Sequence, residues 1–251
     1  MRKLDIHCHV LPGIDDGAAN EQESLRMLRM AARQGTRAVI ATPHYGAEFP
    51  GSRPEHIRAL CKRLEAKARE EINPKFRVYP GQEIFYKDDV IEKLERKQIL
   101  TLADSRYILT EFLPGIPYSN LYRIVRELII ADYIPILAHI ERYECLREKG
   151  RVEELIDEGA YMQMNYRRIG GKWYEETTRW SRKMLKEENI HFLGTDMHNA
   201  KTRQPQTMEA DAWMEKHLDT EYIRELSYKN ALKVLKNKKR GEEKEKYGEY
   251  A

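Results

Sequence analysis

Seven short apolar runs, at residues 3–6, 37–41, 76–80, 106–110, 134–138, 161–164 and 190–193, recur along this chain, each separated from the next by a longer charged segment. The runs are rich in Val, Ile and Tyr, and most are apolar throughout rather than alternating with polar residues. Strands of that kind need cover on both faces, which helices provide in parallel α/β sheets. The intervening segments read as those helices. Asn20 followed by Glu23 has the polar cap and acidic third position of a helix start, Leu25, Leu28 and Ala32 supply an apolar stripe, and Gly35 offers a stop. Pro54 opens a second helix with Ile57, Leu60, Leu64 and Ala68 facing inward. Helical patterns follow at 88–96, 121–131, 151–158, 177–188, 207–217 and 221–237.

Strict alternation of strand and helix implies right-handed parallel crossovers, and seven or eight of them close into a barrel. An open doubly wound sheet is the alternative. If it bound a nucleotide it would need a Gly-rich turn after the first strand, which is absent. With 251 residues, 41% apolar and 34% charged, the expected organisation is one barrel domain at 1–237 and a charged, flexible tail at 238–251 carrying Tyr247 and Tyr250. No run approaches the roughly 18 apolar residues of a membrane span, so no membrane insertion is expected. Met1-Arg2-Lys3 leads straight into the first strand without an apolar leader, and a cytoplasmic location is expected. Cys8, Cys61 and Cys145 are too few for a disulfide framework or a thiolate zinc cage. Residues 233–251 hold seven Lys/Arg against four Glu, which accounts for the whole net charge of +3 and leaves 37 of each sign elsewhere. A balanced body lacks the basic face of a nucleic-acid binder.

Potential metal ligands fall at the strand ends. His7 and His9 follow the first strand, His44 the second, Glu83 the third, Glu111 the fourth, His139 the fifth, and Asp196 with His198 the seventh. In a parallel barrel all of these lie on the C-terminal rim, where active sites are built. His-x-His on an extended segment turns both rings to one side and Cys8 to the other. Imidazole with carboxylate and no thiolate is a ligand set for manganese, zinc or iron in hydrolytic centres, and Glu83 could bridge two ions. One such histidine would more often be a satisfied core or surface residue, which is the expectation for His56, His191 and His217. Five at four strand ends are harder to explain without cations, because burying them with carboxylates is costly.

The segments Asp5-Ile-His-Cys-His-Val-Leu-Pro-Gly-Ile-Asp-Asp-Gly17, Ala41-Thr-Pro-His44, Gly81-Gln-Glu83, Pro135-Ile-Leu-Ala-His-Ile-Glu-Arg142 and Gly194-Thr-Asp-Met-His198 together resemble the PHP (polymerase and histidinol phosphatase) superfamily. Within it they are similar to the bacterial metal-dependent protein-tyrosine phosphatases of capsular and extracellular polysaccharide loci. The resemblance implies a distorted TIM-like (β/α)7 barrel with two or three divalent ions, manganese first, with iron, zinc, cobalt or magnesium as alternatives. It implies one ion on His7, His9, Glu83 and Asp196, a second on Glu83, Glu111 and His139, and a third on Asp16, His44 and His198. Between Asp15 and Asp16 only the family spacing favours Asp16. Arg142 and Arg203 would contact the phosphoryl group.

The implied chemistry is in-line attack on phosphorus by a hydroxide bridging two ions, with phosphotyrosine in a protein, expected to be a bacterial tyrosine kinase, as substrate. Three other readings stay open on the residues: a small-molecule phosphatase acting on histidinol phosphate or a similar monoester, a nuclease of the superfamily, which the neutral body disfavours, and a metal-binding module without catalysis. Tyr45, Phe49, Tyr86, Tyr118 and Tyr166 follow strands and are either an aromatic wall for the substrate ring or ordinary core and surface residues. Cys145-Leu-Arg-Glu-Lys-Gly-Arg151 spells the Cys-x5-Arg of thiol-based phosphatases, but residues 140–147 read as a polar helix start rather than a phosphate-cradling loop. Oligomeric state is not read from the sequence.

Overall fold

Strands that are apolar on both sides must be covered on both sides, and this chain meets the demand by rolling its sheet into a ring with helices outside. The computed structural model describes residues 1–46 and 52–237; Phe49 and the expected tail at 238–251 lie outside the described residues. Among the described residues there are nine strand segments: β1 (Lys3–Cys8), β2 (Thr36–Ala41), β3 (His44–Tyr45), β4 (Arg77–Pro80), β5 (Glu83–Phe85), β6 (Tyr107–Glu111), β7 (Ile134–Leu137), β8 (Tyr161–Asn165) and β9 (Phe192–Gly194). All pairings are parallel, in the orders β1-β2-β4 and β3-β5-β6-β7-β8-β9.

β3 prolongs β2 beyond Thr42-Pro43, and β5 prolongs β4 beyond Gly81-Gln82, so the nine segments form seven staves. The expected (β/α)7 arrangement is therefore present, with its second and third strands each interrupted. Pro43 contributes no N–H, but its carbonyl accepts from Glu83 N at 3.2 Å and carries the pairing across the break. The last strand starts at Phe192 rather than at residue 190, because the Ile190 carbonyl accepts the Tyr222 hydroxyl (2.8 Å) instead of a neighbouring strand. The ring closes where Asp196 N donates to the His7 carbonyl and His9 N to the Met197 carbonyl, both at 2.9 Å.

The helices are α1 (Glu21–Arg33), α2 (Pro54–Glu71), α3 (Val90–Glu95), α4 (Tyr118–Ile130), α5 (Arg151–Asp157), α6 (Tyr166–Ile169), α7 (Glu176–Lys186), α8 (Met208–His217), α9 (Thr220–Arg224) and α10 (Asn230–Lys236). The start of α1 follows its sequence signal: Asn20 Oδ1 accepts Glu23 N at 3.0 Å while the Glu23 carboxylate accepts Ala19 N at 3.1 Å. The single helix expected at 221–237 is divided by a π turn at Glu225–Lys229.

Alternation along the staves sorts the core into shells. Leu4, Ile6, Ala38, Ile40, Leu109, Ile136 and Phe192 fill the barrel, and Ala231 and Val234 of α10 seal its floor. Cys8, Val39, Ala41 and Val78 instead pack outward under α1 and α2, and Ile108, Leu137, Met162 and Leu193 do so under the helices that follow. β1 changes parity near its end. Ile6 and His7 both serve the interior side, and the register shifts between Asp5 and Cys8. The buried Asp5 carboxylate stabilises this irregularity by accepting His7 N and Thr195 N, each at 3.1 Å.

Outside the rim, His191 is a structural residue, as expected. Its Nδ1 accepts Met162 N at 3.1 Å, and burial, with Lys233 nearby, holds its pKa down to about 4. A histidine lowered in the fold contributes stability that is complete above its unfolded value near 6.5 and is lost as pH falls from there toward 4. His191→Gln should therefore lessen the loss of stability between pH 6.5 and 5 by up to about 2 kcal/mol, at about 1.4 kcal/mol per unit. Urea unfolding of both proteins across that range checks this; parallel curves would refute it.

Candidate metal centre

The nine residues expected as ligands meet at the C-terminal mouth of the barrel. His7 is the penultimate residue of β1 and His9 follows the strand, Asp16 lies in the next loop, His44 is in β3, Glu83 opens β5 and Glu111 closes β6. His139 follows β7, and Asp196 and His198 follow β9. By strand parity His139 would turn outward after Ala138. Its left-handed backbone (φ 35°, ψ 57°) returns the ring to the mouth, and Asp196 also has positive φ, 50°. Gly194 leaves the space these side chains need, because a Cβ there would sit 2.7 Å from His7 Cβ and 2.9 Å from Gln163 Nε2.

Glu83 is the hub. Its carboxylate lies 3.1 Å from His7 Nε2, 3.1 Å from His9 Nε2, 3.2 Å from His44 Nδ1 and 2.9 Å from His139 Nε2. Glu111 approaches His139 Nε2 at 3.2 Å, and Asp196 approaches His7 and His9 at 3.7 and 3.6 Å. Asp16 faces His44 Nε2 at 3.5 Å and His198 Nε2 at 3.4 Å. Donor atoms gather into four overlapping sets: His9, Asp16, His44 and His198; His7, His9 and Asp196; His7, Glu83 and His139; and His44, Glu83 and Glu111.

The donor set fits divalent ions. Ligands about 2.0–2.2 Å from one ion stand roughly 3 Å from each other along the edges of its coordination polyhedron, and the spacings above begin at that value. Three rings have their Nδ1 side engaged, which turns Nε2 toward the others: His7 on Gln163 Oε1 (3.1 Å), His9 on the Asp15 carboxylate (2.7 Å) and His198 on the Asp196 carbonyl (2.9 Å). Burial pulls His7 and His9 down, but Glu83 with Asp196, and Asp15 with Glu83, respectively raise them above the ordinary imidazole range. His139 is likewise depressed by burial but lifted to about 9 by Glu111 and Glu83. Burial would raise Glu83 and Asp196, yet the imidazoles hold both below the usual carboxylate range. Protons on the rings thus do the work that a dication would do with less crowding.

Arg142 and Arg203 reach over this cluster from its two sides. Arg142 donates to Asp196 Oδ2 at 3.2 Å and to Glu111 at 3.4 Å, while Arg203 donates to both Asp196 oxygens at 3.0 Å. Asn199 Oδ1 accepts the backbone N–H groups of Lys201, Thr202 and Arg203, giving the Arg203 loop a fixed shape.

Several positioning groups were not anticipated. Asp15 orients His9 and also accepts the backbone N–H groups of His44 and Gly17, both at 3.0 Å, while Asp16 alone of the pair faces the other donors. Gln163 accepts from His7 and from His139 N (2.7 Å) and donates to Asn165, which donates to Asp196 Oδ2 at 3.0 Å. These amides occupy β8, the one stave without an ionisable candidate; Gln-x-Asn at a period of two was the available signal.

The aromatic candidates are dispersed. Tyr166 is a core residue, 2% exposed, because β8 turns directly into α6. The Tyr118 hydroxyl is bonded to Glu154 at 2.6 Å and the Tyr86 hydroxyl to Glu127 at 3.4 Å, while Tyr45 accepts from Lys93 at 2.6 Å. The residues after His139 form two 3-10 turns, Ile140–Arg142 and Glu144–Arg147, with Ile140 and Glu141 buried, rather than a polar helix start. Burial raises the Cys145 thiol, the opposite of what a thiolate nucleophile requires.

A parallel barrel with a many-donor metal site on its mouth defines a class of metal-dependent hydrolases. The family described as "Capsular polysaccharide synthesis, CpsB/CapC" matches residues 3–236. The tyrosine-protein phosphatase YwqE of Bacillus subtilis (strain 168) is 35% identical over 239 residues, covering 93% of this chain and 92% of the relative. The tyrosine-protein phosphatase CpsB of Streptococcus pneumoniae is 32% identical over 238 residues, covering 92% and 98%. A crystal structure from a study of YwqE and CpsB as unique metal-dependent tyrosine phosphatases matches with a TM-score of 0.85 and 33% identity over 94% of this chain and 95% of that one. A histidinol phosphate phosphatase of Lactococcus lactis shares the fold at a TM-score of 0.53 and 16% identity, over 86% of this chain and 94% of that one. This chain belongs to the CpsB/CapC family.

Removing the group that orients a metal-binding histidine generally weakens metal affinity about 10- to 100-fold. Asp15→Ala is expected to reduce divalent-ion affinity by that amount without unfolding the barrel, as read from metal-binding isotherms and circular dichroism. Unchanged affinity would remove Asp15 from the centre.

Proposed function

We propose that this chain is a metal-dependent protein-tyrosine phosphatase. The observation that carries the reading is the convergence of five histidines and four carboxylates beneath two arginines at one barrel mouth. His7, His9, Glu83 and Asp196 would hold one divalent ion, Glu83, Glu111 and His139 a second, and Asp16, His44 and His198 a third; manganese suits such oxygen and imidazole donors. Ions bound there lower the pKa of coordinated water toward neutrality and supply positive charge to the phosphoryl oxygens.

The protein's own groups do the rest. Arg142 and Arg203 exchange their carboxylate partners for phosphoryl oxygens, which planar guanidinium donors match in pairs. Asn165 keeps Asp196 in place when the arginines turn away, and Gln163 and Asp15 keep His7, His139 and His9 aimed inward. Positioning and charge neutralisation dominate phosphoryl transfer, so little covalent work is asked of side chains. The tyrosine phenolate, whose acid has a pKa near 10, departs without strong acid assistance.

A protein substrate is favoured over histidinol phosphate because the relatives named as tyrosine phosphatases share 35% and 32% of their residues with this chain against 16% for the histidinol phosphate enzyme. The substrate we infer is a bacterial tyrosine kinase of a polysaccharide locus, in the cytoplasm. Three unpaired cysteines and the lack, among the described residues, of any helix long and apolar enough to cross a membrane accord with that setting.

Chelation should abolish hydrolysis of a phosphotyrosyl peptide, and manganese should restore it. Asp196→Ala should lower kcat/KM by at least about a thousandfold, a loss of about 4 kcal/mol of transition-state stabilisation. Cys145→Ser should retain activity within about twofold, since its thiol has no role. Persistence of turnover after exhaustive chelation, or its loss in Cys145→Ser, would sink the proposal. Faster turnover of histidinol phosphate than of the peptide would redirect it to a small-molecule substrate.

A further inference from the structure

The loops after β8 and β9 carry a local excess of cations, which ends at the exposed Glu175 and Glu176 where α7 begins. Residues 166–174 and 199–207 contain Arg167, Arg168, Lys172, Lys201 and Arg203 and no Asp or Glu. The two loops are tied together where the Arg167 guanidinium donates to the Thr202 carbonyl at 2.6 Å, one residue from Arg203 and its contact with Asp196. Arg167, Arg168, Lys172 and Lys201 are all exposed. Arg167 gives its guanidinium to a carbonyl, and the Lys172 ammonium stands over the Tyr174 ring at 5.7 Å.

On the same strip stand Trp173 and Tyr174, 74% and 55% exposed, their rings edge to face at 6.0 Å. Leaving two large aromatic rings in water forgoes the burial that stabilises a fold, and such surface marks contact with a partner. The base beneath the rings is tightly packed. A Cβ on Gly170 would meet Glu209 Cβ of α8 at 2.9 Å, and one on Gly171 would meet Thr178 Oγ1 of α7 at 2.3 Å. Arg179 fixes the far end by donating to the Tyr174 carbonyl at 2.6 Å. The rings are thus held outward on a rigid support, which limits the ordering cost of binding.

The geometry points to this aromatic and cationic ledge as the seat of the polypeptide flanking the phosphotyrosine, with preference for acidic residues beside it. The inference rests on the phosphatase reading: a chain whose phosphoryl group reaches Arg203 must lie across neighbouring loops. Charge complementarity selects acidic flanks, and aromatic rings serve as anchors at such interfaces.

The test compares free phosphotyrosine, a phosphotyrosyl peptide flanked by Asp and Glu, and the same peptide with Ser in place of the acids, using manganese-loaded protein. Trp173→Ala combined with Tyr174→Ala is expected to raise KM for the acidic peptide about tenfold, the loss typical of removing an aromatic anchor, with kcat and turnover of free phosphotyrosine unchanged. Lys172→Glu with Lys201→Glu should erase the preference for acidic over Ser-flanked peptide, and added salt should weaken that preference in the unaltered protein. Equal loss on peptide and free phosphotyrosine, or no loss on either, overturns the ledge. If the unaltered protein binds anionic lipid vesicles or single-stranded DNA through Trp173 while peptide KM ignores the substitution, the ledge serves another occupant and the inference fails. Failure of the phosphatase reading is separately visible, because the unaltered protein would then leave free phosphotyrosine intact.

Discussion

A carboxylate buried among four imidazoles is the interaction on which this molecule turns. Glu83 touches rings that come from β1 and the residue after it, from β3 and from the segment after β7, so the hub ties together parts of the chain that are far apart in sequence. Such a cluster is costly to bury unless its charges are matched, and its own protons match them only partly. Divalent ions match them better, which makes metal binding a contribution to the folded state as well as to chemistry. The ring of staves serves that hub. Six of the seven staves bring candidate donors to this mouth, and the neutral amides of Gln163 and Asn165 on the remaining stave, β8, hold them in orientation without adding charge.

Much of this architecture was legible in the residues. Seven apolar runs correspond to seven staves, and the Asn20 and Pro54 helix starts are where their side-chain chemistry requires. Placing the candidate ligands at strand ends needed only the rule that parallel barrels present those ends on one face. The interruptions in the second and third staves were hidden, because two- and three-residue strands such as β3 and β5 carry no periodicity of their own. The reach of His139 was also hidden: parity alone sends it outward, and only its left-handed backbone brings it back.

The distinction between Asp15 and Asp16 shows where local sequence stops being informative. Both are carboxylates, adjacent, on the same loop. Folding separates them by direction, with Asp15 turned to the far side of His9 and Asp16 to the open side near His198. The uncharged positioning groups of β8 escaped notice for a related reason. Acids and imidazoles announce chemistry by type, whereas Gln and Asn acquire a role only from what stands opposite them.

The barrel is filled below the donors and closed underneath by Ala231 and Val234 of α10. On the proposed reading, a phosphate monoester and the inorganic phosphate left from it would both use this mouth, and both would call on Arg142 and Arg203. Turnover would then be tied to clearance of the spent anion, with accumulated phosphate competing against fresh substrate for the same groups.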